Sequence, residues 1–292
     1  MGIVFIMKMI SKKSYIYLIL AGIFVGLIGI FVKLIGSDVH FMTLAFYRML
    51  LALIFIIIVV PFMDKKWYKI KKEDVSNYFI ISFLMVVTFS LFILANSFAP
   101  VQNVVLITNF APFLVLIGAY FVLKEKITRT KIITLIIAIA GIIIINPFKA
   151  GENQLGNLIA FVQAISYSLL IIWMRKEGKD HKIGSVIWYF IFASLILLPA
   201  PFIFGFGNLS GNTLWLVLGL GIFSTGFAYL FHNLGLEKVG AEISSIIIMI
   251  VMPLAGISAA FFLLNEALNL RIILGGTVLI VAGIYLEFHN RK

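Results

Sequence analysis

Cysteine is absent from the 292 residues, which removes disulfides, thiol nucleophiles and cysteine metal ligands from consideration. Charge is scarce. Asp, Glu, Lys and Arg make up 12% of the chain, about half of the roughly 25% usual in soluble domains. The scarcity is sharpest for acids: 12 Asp and Glu stand against 23 Lys and Arg, and each acid lies in a polar segment or within a few residues of the end of an apolar run. A proton relay through a buried carboxylate is therefore disfavoured, leaving facilitated exchange or coupling through His232. The four histidines are scattered, with no metal-ligand spacing. Gly219-Leu-Gly221 lies inside an apolar run rather than after a strand, so it is no dinucleotide loop. No phosphate loop is present, which excludes ATP-driven pumping by this chain alone. No catalytic residue, metal or cofactor is expected.

What is present is apolar surface, 62% of all residues. Ten runs can be marked: Tyr15–Ile35, Phe41–Pro61, Val75–Phe98, Val101–Leu123, Thr130–Asn146, Leu155–Met174, Ile183–Phe204, Thr213–Leu236, Ala241–Leu264 and Leu270–Phe288. About 20 apolar residues at 1.5 Å each cross the roughly 30 Å hydrocarbon core of a bilayer. Strands are excluded because the runs are twice the length of a barrel strand and do not alternate. The first run is too long for a signal-peptide core and is followed by no Ala-x-Ala site, so it reads as a retained span. With the amino terminus inside, nineteen basic residues fall on the inner side and two, Lys149 and Arg271, on the outer side. That asymmetry follows the positive-inside rule and puts both termini in the cytoplasm. It also explains the net charge of +11 without nucleic acid.

Within the runs, Pro112 and Glu125 bracket an apolar segment, and Pro253 and Glu266 bracket another of equal length. One register shift of 141 superimposes Pro112 on Pro253, Glu125 on Glu266, and Gly118-Ala119-Tyr120-Phe121 on Ala259-Ala260-Phe261-Phe262. A shift that persists this far means an internal duplication. Each half holds five runs, an odd number, so the second half must cross in the opposite sense. Inverted repeats of this kind build transporters, with the substrate site near the midplane between halves. The expected fold is an all-α polytopic membrane protein with ten transmembrane helices arranged as two inverted five-helix repeats around a central cavity. Its divisions are 1–14 (cytoplasmic), 15–148 (first repeat), 149–153 (outer loop), 154–288 (second repeat) and 289–292 (cytoplasmic tail).

The sequence resembles the drug/metabolite transporter superfamily, in its EamA branch, over essentially the whole chain. The resemblance rests on Phe46-Tyr47-Arg48-Met49-Leu50-Leu51-Ala52, the two Pro-to-Glu segments, Ala140-Gly141-Ile142 and Ala282-Gly283-Ile284. It also rests on Phe227-Ala228-Tyr229-Leu230-Phe231-His232-Asn233 leading into Val239-Gly240-Ala241. It implies a cavity lined by spans 1–4 and 6–9, spans 5 and 10 at the periphery, and transport of small metabolites, often amino acids or related compounds and often outward. One departure is that Arg48 has no basic counterpart 141 residues on, where Tyr189 stands.

Lys33 and Arg48 lie inside spans. A cation near a helix centre costs about 2.5–3.5 kcal/mol on insertion scales, so each is a functional candidate by default. Each either snorkels to the outer interface or forms a pocket for a carboxylate or phosphate. Polar stripes suggest further substrate-binding residues: Thr225, Tyr229 and His232 on span 8, Gln163 and Tyr167 on span 6, Ser245 on span 9, and Asn103 and Asn109 on span 4. Such stripes serve equally as hydrogen bonds between helices. Pro112 and Pro253 remove an N–H and free the carbonyls of Thr108 and Met249, giving hinges or static kinks. Glu125 and Glu266 either brace the neighbouring helix starts at Thr128 and Asn269 or act as gating pairs. Gly22-x-x-x-Gly26 reads as close helix packing.

These features favour a secondary active or facilitative transporter working by alternating access, with export as one expected direction, on a small polar or amphipathic metabolite of the amino-acid or organic-anion class. The alternatives are an intramembrane lipid-acting enzyme, for which paired mid-membrane acid and base groups are missing, and a non-transporting subunit of a membrane complex. Expected partners are a small-molecule substrate and the lipid bilayer, with no nucleic acid and no ATPase partner, in a monomer or homodimer of the plasma membrane.

Overall fold

The computed structural model describes residues 2–62, 74–122, 124, 128–145, 153–176, 183–239 and 241–289. Some side chains within those helices, Ser245 among them, fall outside the description. Among the described residues the chain is helical throughout. Its helices are α1 (Gly2–Gly26), α2 (Ile28–Ile35), α3 (Phe41–Val59), α4 (Val75–Phe98), α5 (Val101–Thr108), α6 (Ala111–Val122) and α7 (Arg129–Ile145) in the first half. The second half has α8 (Gln154–Lys176), α9 (Ile183–Leu197), α10 (Ala200–Phe204), α11 (Asn212–Gly221), a π-helical turn (Ile222–Phe227), α12 (Ala228–Val239), α13 (Ala241–Leu264) and α14 (Leu270–His289). Eight stretches are long and apolar enough to cross a membrane; Lys131–Ile145 and Leu270–Tyr285 are shorter apolar helices at the fifth and tenth expected positions.

Local chemistry sets the breaks. Ala99 is extended (φ −140°, ψ 160°) as the residue before a proline prefers, and Pro100 opens α5 without an N–H of its own. Thr128 Oγ1 accepts from Lys131 N at 3.3 Å ahead of α7, and Asn269 Oδ1 accepts from Ile272 N at 3.0 Å ahead of α14. These two caps are 141 residues apart. The same spacing separates the only described non-glycine residues at positive φ, Lys124 (56°) and Asn265 (54°), each at the turn after a helix. Left-handed backbone is costly for side-chain-bearing residues, so its recurrence at one register marks a repeated local structure.

The two proline segments nevertheless differ. The first is interrupted at Asn109–Phe110, so that Pro112 sits in the first turn of α6, where a missing N–H costs nothing. The second runs unbroken through Pro253 as α13. The carbonyl that Pro253 frees is taken by the other half: Asn109 Nδ2 donates to Met249 O at 3.1 Å.

Helix pairing runs largely between the halves. Helix α1 packs on α12 and α13 while α8 packs on α4, α5 and α6; α3 meets α9, α5 meets α13, and α7 meets α14. Lipid tails are as apolar as leucine, so close van der Waals fit must hold these pairs together. A Cβ at Gly22 would lie 2.8 Å from the Val251 side chain, and one at Gly26 would lie 2.6 Å from Met252 O. The Gly22–Gly26 face thus seats α1 directly on α13. Outward-facing side chains are apolar, with Phe62 88% and Phe262 75% exposed, a surface suited to acyl chains rather than water.

Candidate functional site

Helix α3 begins at His40, whose Nδ1 accepts from Met42 N at 3.4 Å and whose ring stacks on Phe204 at 4.3 Å. At this end of the bundle, the Asp38 end, the first turns of α3 and the segment before it are tied to the 205–213 segment. Thr43 Oγ1 donates to Gly205 O (2.9 Å), Tyr47 Oη to Phe206 O (2.9 Å), and Thr213 Oγ1 to Asp38 Oδ2 (2.6 Å). Gly207, at φ 76°, passes so close that a Cβ would lie 2.8 Å from Asp38 O. These ties join the first half to the second across the Asp38 end.

Two turns into α3 from there stands Arg48, 3% exposed. Its Nε donates to Thr225 Oγ1 at 2.9 Å, and its guanidinium carbon lies 4.5 Å from the centroid of the Phe89 ring. The Nη1 atom is buried and has no hydrogen-bond acceptor. Among the described residues no carboxylate pairs with it. Thr225 can serve because the π-helical turn widens the backbone at this point: its hydroxyl donates in turn to Leu220 O, five residues back, at 2.9 Å. Single π turns inside α-helices recur at functional sites.

Tyr229 follows Thr225 by four residues and closes the arrangement. Its ring meets Phe190 edge-on at 5.1 Å and Phe89 at 6.5 Å, and it lies within electrostatic reach of both Arg48 and Tyr167. Tyr229 also lines a small open pocket of about 10 Å³, room for about one water molecule, together with Phe55, Ile56, Val59, Val60, Val186, Leu230 and Asn233. Phe55 is seven residues beyond Arg48 on α3, so the pocket lies roughly 10 Å further from the Asp38 end. The result is a buried cation against an aromatic wall, with an open pocket on the side away from the Asp38 end. Among the described residues no cluster of three His, Cys, Asp or Glu could hold a metal.

Comparison with known proteins decides the family. The pattern of the EamA-like transporter family matches residues 12–146 and again residues 154–288. The chain belongs to the EamA-like transporter family. An uncharacterised transporter of Clostridium kluyveri is 26% identical over 303 residues, covering 96% of this chain and 95% of that protein. The uncharacterised transporter YoaV of Bacillus subtilis is 25% identical over 79% of this chain and 82% of its own. An uncharacterised transporter of Archaeoglobus fulgidus is 27% identical over 76% and 81% respectively. A solved crystal structure superposes with a TM-score of 0.69 over 96% of this chain and 98% of its own, at 13% identity, which shows shared fold alone. The protein is thus an integral, multi-pass membrane transporter.

In this EamA-like chain the expected site residues separate into groups. Arg48, Thr225, Tyr229 and Tyr167 come together. Asn103, Asn109 and Gln163 are instead engaged between helices: Asn103 Nδ2 donates to Asn157 Oδ1 (3.3 Å), Asn109 bonds Met249 O, and Gln163 Oε1 accepts from Thr108 Oγ1 (3.0 Å). His232 is half-buried one turn beyond Tyr229. The side chain of Ser245, and Glu125 altogether, lie outside the described residues.

Lys33 sits in the last turn of α2, half-buried, with Glu266 as its electrostatic neighbour. The Glu266 carboxylate accepts from Val101 N (2.8 Å) and Gln102 N (3.3 Å) at the start of α5. It therefore braces a helix start in the opposite half, while the start of α14 that follows it in sequence is capped by Asn269. The reason is that the first N–H groups of α5 have no carbonyl partner within their own helix and lie in apolar surroundings. Sequence reading missed Phe89 and Phe190, since an aromatic ring in an apolar span carries no local signal. The one hint was that Phe89 is flanked by Thr88 and Ser90, two hydroxyls in an otherwise apolar run.

Proposed function

We propose that the protein moves a small polar or amphipathic metabolite bearing a carboxylate, of the amino-acid or organic-anion class, across the plasma membrane by alternating access. In this reading the two shorter helices also cross, giving ten spans as two inverted five-helix repeats, 15–148 and 154–288, around the Arg48 site. The shared 141-residue register of caps and left-handed turns supports that symmetry, as does helix pairing that exchanges the halves. The positive-inside distribution places the Asp38 end outside and both termini in the cytoplasm, so the ties at that end shut the outer side while the Tyr229 pocket opens inward.

One observation carries the reading: Arg48 is buried at the junction of the halves with a terminal nitrogen that has no acceptor. Burying a charge without a compensating partner is expensive, and a bound carboxylate would supply the acceptor. The aromatic faces of Phe89, Phe190 and Tyr229 would take the apolar body of the same molecule. A lipid-acting enzyme would need an acid and base at this depth, and the site has a guanidinium, a hydroxyl and rings. The test is a thermal-shift screen of the purified protein against amino acids and carboxylic acids, followed by flux of the stabilising compounds into proteoliposomes. Stabilisation by carboxylates that is lost in their amides is expected; equal stabilisation by acid and amide would sink the assignment.

A further inference from the structure

We infer that the protein is an obligatory exchanger, in which the Arg48 site changes the side to which it opens only when it carries a substrate or counter-substrate. The inference rests on the reading of Arg48 as the anchor of the substrate's carboxylate. Any carrier that works by alternating access passes through a state closed at both ends, in which the site has no bulk water. Arg48 is already 3% exposed with the Asp38 end tied shut. Its neighbours among the described residues are neutral: the Phe89 ring from α4, the Thr225 hydroxyl from the π turn and, beyond Phe89, the Tyr229 and Phe190 rings. Ser224, beside Thr225, has a buried hydroxyl without a partner and brings no charge.

The described carboxylates on this side of the molecule are committed elsewhere. Asp38 accepts from Thr213, and Glu266 holds the start of α5 beside Lys33. Lys33 therefore has a protein carboxylate as its neighbour, whereas Arg48 has none among the described residues. Since no described residue offers Arg48 a counter-charge, in the closed state the cargo supplies it. With cargo, the site holds a hydrogen-bonded, neutralised pair; without it, a bare guanidinium in a low-dielectric interior. The barrier to reorientation is accordingly higher for the empty carrier than for the loaded one. Each tenfold difference in the two rates corresponds to about 1.4 kcal/mol of barrier. Loaded carriers cross in both directions and empty ones are held back, which is the defining property of exchange.

The full chain, reconstituted in proteoliposomes, tests this with two probes loaded inside: a radiolabelled mixture of amino acids, and radiolabelled lactate and malate. Release is followed into plain buffer and into buffer containing the same compounds unlabelled. Release about tenfold or more faster with cargo outside supports exchange. Equal release into both buffers overturns exchange and leaves the transport reading standing. No release of either probe under either condition overturns the substrate reading and the exchange built on it. The ratio of the two rates is independent of how many carriers in a preparation are folded, so Arg48→Gln can be compared directly. Its ratio should fall towards one as exchange drops to the level of net release. An undiminished ratio in the variant would overturn the role of Arg48.

Discussion

Two cations lie within the spans near the Asp38 end, and their surroundings differ in kind. Lys33, in the last turn of α2, is half-buried and has the Glu266 carboxylate nearby, which itself holds the first N–H groups of α5. Arg48, in α3, is buried, with a hydroxyl and an aromatic face as partners and one nitrogen that has none. The first arrangement is complete within the protein and ties one half to the other. The second is incomplete by one acceptor. An unsatisfied buried charge in a span is a functional-site candidate by default. The comparison therefore separates a brace from a binding site, although both residues look alike as cations in apolar runs.

The largest expected effect is at Arg48. Arg48→Met should lower flux by about 100-fold, since removing one member of a buried charge-assisted pair costs on the order of 2–5 kcal/mol. Its melting temperature should hold or rise, because replacing a poorly paired buried ion by an apolar side chain is often neutral or stabilising. A variant that melted earlier and transported normally would reverse the distinction drawn between the two cations. Glu266→Ala should behave the opposite way. Losing a charged acceptor for two backbone N–H groups should cost about 1.5–3 kcal/mol of stability, seen as a lowered unfolding midpoint. Glu266→Gln, which keeps one acceptor, should recover part of that loss.

Thr225→Val tests how Arg48 is held. Removal of a single neutral acceptor is worth about 1 kcal/mol, and flux should drop about fivefold as the guanidinium loses its orientation. Thr225→Ser, which restores the hydroxyl, should rescue it. The smallest effect should come from Lys33→Met, with flux within about twofold of wild type, because a partly exposed cation with a carboxylate nearby contributes about 0–1 kcal/mol. A loss of more than tenfold would place Lys33 in the binding site and erase the contrast.

Much of this was legible in the linear chain. The helical, multi-pass class and several span edges follow from the length of apolar runs, because only a backbone that satisfies its own hydrogen bonds survives in hydrocarbon. The spans starting at Phe41, Val75 and Val101 begin in the structure where the runs begin. The 141-residue register is likewise a property of the sequence, and it reappears as the paired caps at Thr128 and Asn269. Arg48 could be singled out because a charge in an apolar run is conspicuous by composition alone. The roles of the polar residues could not be read in this way. Asn103, Asn109 and Gln163 carry the same signal as Thr225 and Tyr229, a polar group every three or four positions, yet they bond across helices while the latter pair gathers at Arg48.

What the sequence by itself determined is therefore the membrane fold, its duplication and the identity of the odd charge. Each depends on local pattern, and a bilayer admits few structures for a given pattern. Only the tertiary structure decided which carboxylate stands beside which cation, which carbonyl takes up the Asn109 amide, and which rings form the wall at Arg48. Those pairings join residues 41 to 233 positions apart, from Phe89 at Arg48 to Glu266 beside Lys33. Separation of that size leaves no trace in any run of neighbours, and it is settled by how closely the helices of one half can approach those of the other.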